Sequence, residues 1–372
     1  MADTTVFSIR RLLSRKCAAQ GIPVSGTFEL TPRCNLRCRM CYVRLTPEQM
    51  APLGRELTCE EWLQLAREAK EAGMVFLLLT GGEPTLRQDF PRLYEELAGM
   101  GLSVSINTNG TLLTPQLRQL WHRLPPAQVN VTLYGTCAAD YEALCGSGDA
   151  FDRVCEALDW LQSEGILVHL NTTMTPVNLP HWQELEDFAK ARNLDLRMTA
   201  YCFPPSRREA GAPCGDFTRL APEAVGKLIV QDLYYQQGAE AVLRNAADMD
   251  TPPSGSCELA EEGDAISCMA GRSQFWVNWN GTMTPCGMLA QPVTAPAEEG
   301  FLPAWEQLKE ATAAIRLCPD CVNCAERKTC MNCAAVVVTE TGTFSGKPEY
   351  MCALNRAYRA ELQQLAQTLK KA

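Results

Sequence analysis

Over the first half of the chain, short apolar runs alternate with longer segments whose apolar residues return every three or four positions. The short runs, residues 26–30, 74–79, 102–107, 128–133, 166–172 and 194–199, carry the β-branched residues and lengths of strands. The run at 74–79 is apolar throughout, the pattern of a strand buried on both faces. Between them, residues 59–72, 90–100, 115–123, 151–164 and 179–192 have helical spacing. Trp62, Leu63, Ala66 and Ala69 form one such stripe, and Pro115 opens another helix. Strands alternating with helices predict an α/β fold with a parallel sheet and right-handed crossovers. Curled, such a sheet is a partial (β/α)6 TIM-like barrel whose functional end lies at the strand C-termini. Periodicity alone leaves an open sheet as the alternative.

The alternation stops near residue 203. Pro204, Pro205, Gly211, Pro213 and Gly215 read as a linker, followed by a helix over 222–237 and a second Pro/Gly/Ser-rich stretch over 251–256. From Cys257 the pattern predicts short strands, many cysteines and little helix, ending in a helix over 353–370. Asn280-Gly281, flanked by Phe275-Trp276-Val277-Asn278 and Thr282-Met283-Thr284-Pro285, is a hairpin signal. The division expected is an N-terminal extension (1–21), a barrel (22–215), a helical bridge (216–256) and a small cysteine-rich domain (257–372).

A chain of 372 residues that is 46% apolar and 21% charged is long and apolar enough for a large core. Its net charge of −9 argues against nucleic acid as a partner. No apolar run approaches the roughly 18 residues of a membrane helix, and the N-terminus lacks the pattern of an export signal. A cytoplasmic protein without membrane attachment is expected. Nineteen cysteines are then the anomaly. In a reducing compartment, clustered cysteines bind metal more often than they form disulfides.

Cys34, Cys38 and Cys41 fall in the loop after the first strand. Three thiolates suit three irons of a [4Fe–4S] cube and leave the fourth iron open to a small molecule. Half of a zinc site is the competing reading, but a fourth ligand is not close in sequence, and the only histidines are His122, His169 and His181. After the second strand comes Thr80-Gly81-Gly82-Glu83-Pro84, where glycines permit close approach to a backbone or ligand and Glu83 adds a carboxylate.

Together these residues resemble the radical S-adenosylmethionine (SAM) superfamily. The Cys-x3-Cys-x2-Cys loop, the Gly-Gly-Glu-Pro turn, Phe28-Glu29-Leu30-Thr31 and Asn107-Thr108-Asn109-Gly110 occur in the family's order on the matching elements. The resemblance covers residues 22–203 and departs at Met40, where the family usually has an aromatic residue; Tyr42 follows the third cysteine instead. It implies that Cys34, Cys38 and Cys41 hold a [4Fe–4S] cluster whose open iron chelates SAM. Electron transfer from that cluster then yields methionine and a 5′-deoxyadenosyl radical that abstracts hydrogen from a substrate. It implies SAM contacts from Tyr42, Gly81, Gly82, Glu83, Pro84, Asn107, Asn109, Thr132, Arg153 and Asn171.

A second array reads Cys268-x12-Gly281-x4-Cys286, then Cys321-x2-Cys324-x5-Cys330-x2-Cys333, then Cys352. Paired Cys-x2-Cys is also zinc-ribbon spacing. The array resembles the SPASM extension of many radical SAM enzymes, which holds a pair of auxiliary [4Fe–4S] clusters. That resemblance implies one set of Cys268, Cys286 and Cys333, with Cys257 as a fourth ligand, and a second of Cys321, Cys324, Cys330 and Cys352. Cys318 competes as a ligand. Of the remaining thiols, Cys137, Cys145 and Cys202 follow strands and either pack or donate hydrogen to a substrate radical.

By resemblance, the substrate expected is a peptide or protein side chain, modified by cross-linking, thioether formation or epimerisation. Sulfatase maturation and oxidation of a tetrapyrrole or another small molecule are alternatives, with Arg197, Arg207 and Arg208 as candidate partners for a tetrapyrrole's carboxylates. A non-enzymatic electron carrier or zinc scaffold is a third class. The partners implied are an electron donor (a reductase, flavodoxin or ferredoxin) and a separate leader-peptide recognition protein.

Overall fold

A computed structural model describes residues 4–203, 219–250, 265–266, 268–327, 329–330 and 332–371. The expected linker at 204–215, the stretch 251–256, Arg207, Arg208 and Cys257 lie outside these residues. Among the described residues, no helix is long and apolar enough to cross a membrane.

Among the described residues, eight strands form one sheet: β1 (Ser25–Glu29), β2 (Phe76–Thr80), β3 (Ser103–Thr108), β4 (Gln128–Thr132), β5 (Val168–Thr173), β6 (Asp195–Thr199), β7 (Gln274–Val277) and β8 (Met283–Thr284), in the order β6-β5-β4-β3-β2-β1-β7-β8. From β1 to β6 each strand lies beside the next in sequence. A doubly wound sheet would reverse this order at a switch point. The unbroken order is that of a TIM-like fold and settles the alternative that periodicity left open.

The faces of the sheet follow from register. Phe28, opposite Leu79, packs 4.8 Å from the ring of Trp62 on helix Cys59–Glu71, so this face meets the helices. Leu77, Leu79, Val104, Ile106, Val129, Val131, Val168 and Leu170 lie on the same side and are buried. The opposite face carries Thr27, Glu29, Thr80, Ser105, Asn107, Gln128, Asn130, Thr132, His169 and Asn171. Strand β2 is therefore not buried on both faces as its sequence suggested, because Phe76 and Leu78 are only half-buried on the polar side. The helix Cys59–Glu71 begins in a capping box of Thr58 and Glu61 and buries Trp62, Leu63, Leu65, Ala66 and Ala69.

Two compact units divide the chain: 1–172, 177–198 and 268–313 form the first; 173–176, 199–267 and 314–372 form the second. The Asn280-Gly281 hairpin forms as expected, with β7 antiparallel to β8 and Gly281 at φ 85°. It extends the barrel sheet, since β7 also runs parallel to β1. In the second unit, helix Pro222–Ala247 packs on helix Glu349–Leu369 through Val230, Val242, Met249, Leu362 and Ala366. The helix expected over 222–237 ends where expected, at Gly238, whose φ of 76° and ψ of −172° are not helical; a second helical segment follows it to Ala247. The expectation of little helix after Cys257 was wrong. Helices Phe301–Ala313 and Ala334–Thr341 form there, and an α-helix over Thr4–Gln20 was also missed. Their stripes bury a few large residues, such as Phe301, Trp305 and Leu308, amid small ones, so the periodicity is weak.

Candidate active site

The three-cysteine loop is clamped on both sides. On one side the chain after β1 continues along the end of β2: Leu30 N–H donates to Thr80 O (2.8 Å), Gly82 N–H to Thr31 O (2.7 Å) and Glu83 N–H to Arg33 O (2.9 Å). This approach explains both glycines. A Cβ on Gly81 would lie 2.4 Å from Thr31 O, and one on Gly82 2.4 Å from Arg33 O. The glycines thus admit the backbone of the cysteine loop itself. Arg33 is held by a two-point ion pair to Glu56, at 2.7 and 2.9 Å, and Arg87 donates to Leu30 O (3.0 Å). On the other side, Arg37 N–H donates to Cys145 O (2.9 Å) and Arg39 N–H to Leu144 O (3.1 Å). These carbonyls end helix Ala138–Cys145, where a helix has no partners of its own to offer.

The sulfurs face donors. Leu36 N–H points to Cys34 Sγ (3.4 Å), Asn109 Nδ2 to the same atom (3.7 Å) and Arg44 N–H to Cys41 Sγ (3.3 Å). Cys145 and Tyr134 neighbour Cys38, and their polar side chains hold the Cys38 thiol below its ordinary pKa while Cys38 raises that of Cys145. Burial, with smaller contributions from the nearby Glu83, Cys38 and Cys41, pushes the Cys34 thiol up to about 12. None of the described cysteines forms a disulfide. Among the described residues no three Cys, His, Asp or Glu side chains converge on a point that would hold a single metal ion. Three partly accessible thiols, ringed by N–H donors, suit the thiolate ligands of a [4Fe–4S] group.

Glu83 is fully buried at the end of β2. Its carboxylate accepts from Thr85 Oγ1 (2.5 Å), Thr85 N–H (3.1 Å), Thr108 Oγ1 (2.9 Å) and Asn109 N–H (2.7 Å). Burial pushes its pKa up, and these bonds oppose the shift. Asn109 donates to Asn35 Oδ1 (2.9 Å) and accepts from Thr111 Oγ1 (2.6 Å), while Asn35 donates to Thr111 (2.8 Å). Glu83 and Asn109 thus link the ends of β2 and β3 to the cysteine loop. Pro84 is buried just beyond Glu83, and Tyr42 is half-buried next to Cys41. Asn107 accepts from Asn130 (2.7 Å) on the polar face, and Thr132 lies opposite Asn171 across β4 and β5. Arg153 pairs with Asp149 (3.1 Å) at the start of helix Ala150–Ser163, and its Nε is buried without a hydrogen-bond partner. Sequence reasoning missed Asn35, Thr111, Tyr134 and the place of Cys145. Asn35 adjoins Cys34 and was the one within reach; Tyr134 and Cys145 meet the loop only through the fold.

In the second unit Cys321 lies close to Cys318, Cys330 and Cys352, and Cys330 to Cys324 and Cys352. Burial, together with its neighbours Cys318, Cys352 and Cys330, raises the Cys321 thiol to about 11. Cys318 is buried and hydrogen-bonded to Cys321, while Asn332 Nδ2 reaches Cys321 Sγ at 3.7 Å. Cys268 and Cys286 belong to the first unit and Cys333 to the second.

A parallel TIM-like sheet with three cysteines in the loop after its first strand defines an iron–sulfur enzyme that works on a ligand at the strand ends. The radical SAM superfamily model matches residues 28–191, so this part of the chain is a radical SAM domain, which implies SAM and a [4Fe–4S] cluster as cofactors. It is similar to an AdoMet-dependent heme synthase of Methanosarcina barkeri, with 25% identity covering 87% of this chain and 94% of that protein. A PqqA peptide cyclase of Streptomyces rochei is 27% identical over 76% of this chain and 74% of its own. In fold it resembles SuiB of Streptococcus suis bound to its precursor peptide SuiA, with a TM-score of 0.68, 18% identity, and coverage of 91% of this chain and 79% of that one.

Proposed function

We propose that the protein cleaves SAM at a cluster held by Cys34, Cys38 and Cys41 and directs the resulting radical to a peptide or protein side chain. When bound, the cluster and SAM supply the hydrogen-abstracting 5′-deoxyadenosyl radical. The chain's own residues bind, orient and exclude water. Glu83, Asn109 and the 31–33 backbone fix the thiols; Gly81, Gly82 and Pro84 shape the ledge beside them. Tyr42, Asn107, Thr132 and Asn171 offer polar contacts to SAM. Arg153, with a buried donor lacking an acceptor, offers its guanidinium to the SAM carboxylate.

The observation that carries the peptide reading is the chemistry of the polar sheet face. From β1 to β5 its strand residues are hydroxyls and amides with Phe76, Leu78, Glu29 and His169, and none of them is Arg or Lys. Such a lining suits neutral amides, and these strands place no guanidinium or ammonium group of their own opposite the carboxylates of a tetrapyrrole. The AdoMet-dependent heme synthase, matched over most of both chains, supports tetrapyrrole oxidation as the second reading. Cys321, Cys324, Cys330 and Cys352 hold one auxiliary cluster in this proposal. Electrons come from an external flavodoxin, ferredoxin or reductase, and a separate protein recognises the leader peptide. The test is to follow 5′-deoxyadenosine release from reduced protein supplied with a peptide library or with coproporphyrin. Stimulation by peptides supports the reading; stimulation by coproporphyrin alone rejects it.

A further inference from the structure

A small cavity lies behind the end of β3. Thr108 alternates along that strand with Val104 and Ile106, so it sits on the helix-facing side of the sheet. The walls are Thr108, Thr85 of the turn after β2, Leu113, Leu117 and Trp121 in and before helix Pro115–Arg123, and Leu161 of helix Ala150–Ser163. Room for the centre of a water amounts to about 10 Å³ there, the least that holds a single molecule. Most of the lining is apolar, and its polar side chains are Trp121, Thr85 and Thr108. Trp121 is 1% exposed, and among the described residues its Nε1 has no hydrogen-bond partner. Its ring stands edge-on to Tyr94, 6.2 Å between centroids. A buried N–H normally finds an acceptor, because it has given up its bond to solvent. Both hydroxyls give their protons to the same oxygen of Glu83, Thr85 Oγ1 at 2.5 Å and Thr108 Oγ1 at 2.9 Å. Each hydroxyl oxygen can also accept twice. On Thr108 one of these places is taken by Gly110 N–H at 3.0 Å. One unmatched donor thus shares a water-sized cavity with two oxygens able to accept.

We infer that this cavity binds one ordered water, which accepts from Trp121 Nε1 and donates to Thr85 Oγ1 and Thr108 Oγ1, and that Trp121 is through it a positioning residue for Glu83. Three hydrogen bonds are the usual complement of a buried water. A hydroxyl that accepts a hydrogen bond donates more strongly in turn, so the water reinforces both bonds into Glu83 and steadies its negative charge. The support comes from the helix side of the sheet and leaves the polar face to SAM. Trp121 touches neither SAM nor substrate in this role.

The role of the water rests on the reading of Glu83 as a SAM contact; its presence does not, and two measurements separate them. A crystal structure of the full chain should show a water within hydrogen-bond distance of Trp121 Nε1 and both threonine hydroxyls, and Trp121→Phe should lose it. A cavity without a water, or a water bonded to neither threonine, would overturn the inference. SAM affinity is then read by equilibrium dialysis on reconstituted full-length protein at equal iron content. Trp121→Phe should raise the SAM dissociation constant about two- to tenfold, the range of one lost hydrogen bond. Trp62→Phe is the matched control: Trp62 Nε1 is likewise buried without a partner among the described residues, but Trp62 does not line the cavity, and its variant should bind SAM as the wild type does. Unchanged affinity in Trp121→Phe beside weakened binding in Glu83→Ala, or equal losses in the two tryptophan variants, would overturn the positioning role. Unchanged affinity in Glu83→Ala would instead overturn the reading of Glu83 as a SAM contact.

Discussion

Glu83 shows how one residue carries several tasks. Four donors converge on its buried carboxylate, three of them from Thr108, Asn109 and the Thr85 hydroxyl. Glu83→Ala leaves these groups without an acceptor, each buried unsatisfied donor costing about 1–3 kcal/mol. The variant should lose stability on that scale in urea unfolding and also bind SAM more weakly in equilibrium dialysis; unchanged affinity would remove Glu83 from the SAM site. Asn109→Ala severs the links to Asn35 and Cys34. It should lower the iron retained at the first cluster, read as a loss of the SAM-responsive EPR signal, with auxiliary iron kept. In the sequence, the Cys-x3-Cys-x2-Cys spacing and the Gly-Gly-Glu-Pro turn made the three thiols and Glu83 legible. The pairing of Asn109 with Asn35, 74 residues apart, was not, because nothing local marks a long-range amide contact.

The clamp around the cysteine loop is a property of elements more than of single groups. It needs β2 to end in residues without side chains, because the loop backbone occupies that space. Gly82→Ala should displace the loop by pressing on Arg33 O, and reconstituted protein should hold markedly less iron while its circular dichroism stays near wild type. Gly99→Ala is the matched control: no atom lies within 4 Å of the added Cβ at this helical residue, and the substitution should stabilise the helix slightly or leave it unchanged. Equal iron loss in both variants would contradict the clamp. Strands β1 to β6 were legible because a barrel strand keeps an apolar, helix-facing side. The helix over 138–145 was not, since its eight residues show almost no amphipathic pattern: buried Asp140 and Cys145 share it with buried Tyr141 and Leu144.

At the scale of the molecule, the chain does not lay out its parts in order. Residues 268–313 return to the barrel sheet, while 314–372 join the unit built on helix Pro222–Ala247. Composition could not reveal this return, because the pairing of β7 with β1 spans most of the chain and leaves no local signature. Leu362 sits fully buried where the two long helices of the second unit meet. Leu362→Ala should cost about 2–5 kcal/mol in urea unfolding of that unit, as a cavity in a packed helix pair does. Iron analysis should find about three [4Fe–4S] clusters per chain, and zinc with little iron would reject the auxiliary assignment. The central claim is the cleavage of SAM at the three-cysteine loop. Its most direct test is 5′-deoxyadenosine formation by anaerobic, reconstituted, dithionite-reduced protein, beside a variant with Cys34, Cys38 and Cys41 all changed to alanine. Product from the wild type alone is the predicted result; equal product from both, or none from an iron-loaded wild type with SAM and candidate peptides present, would contradict it.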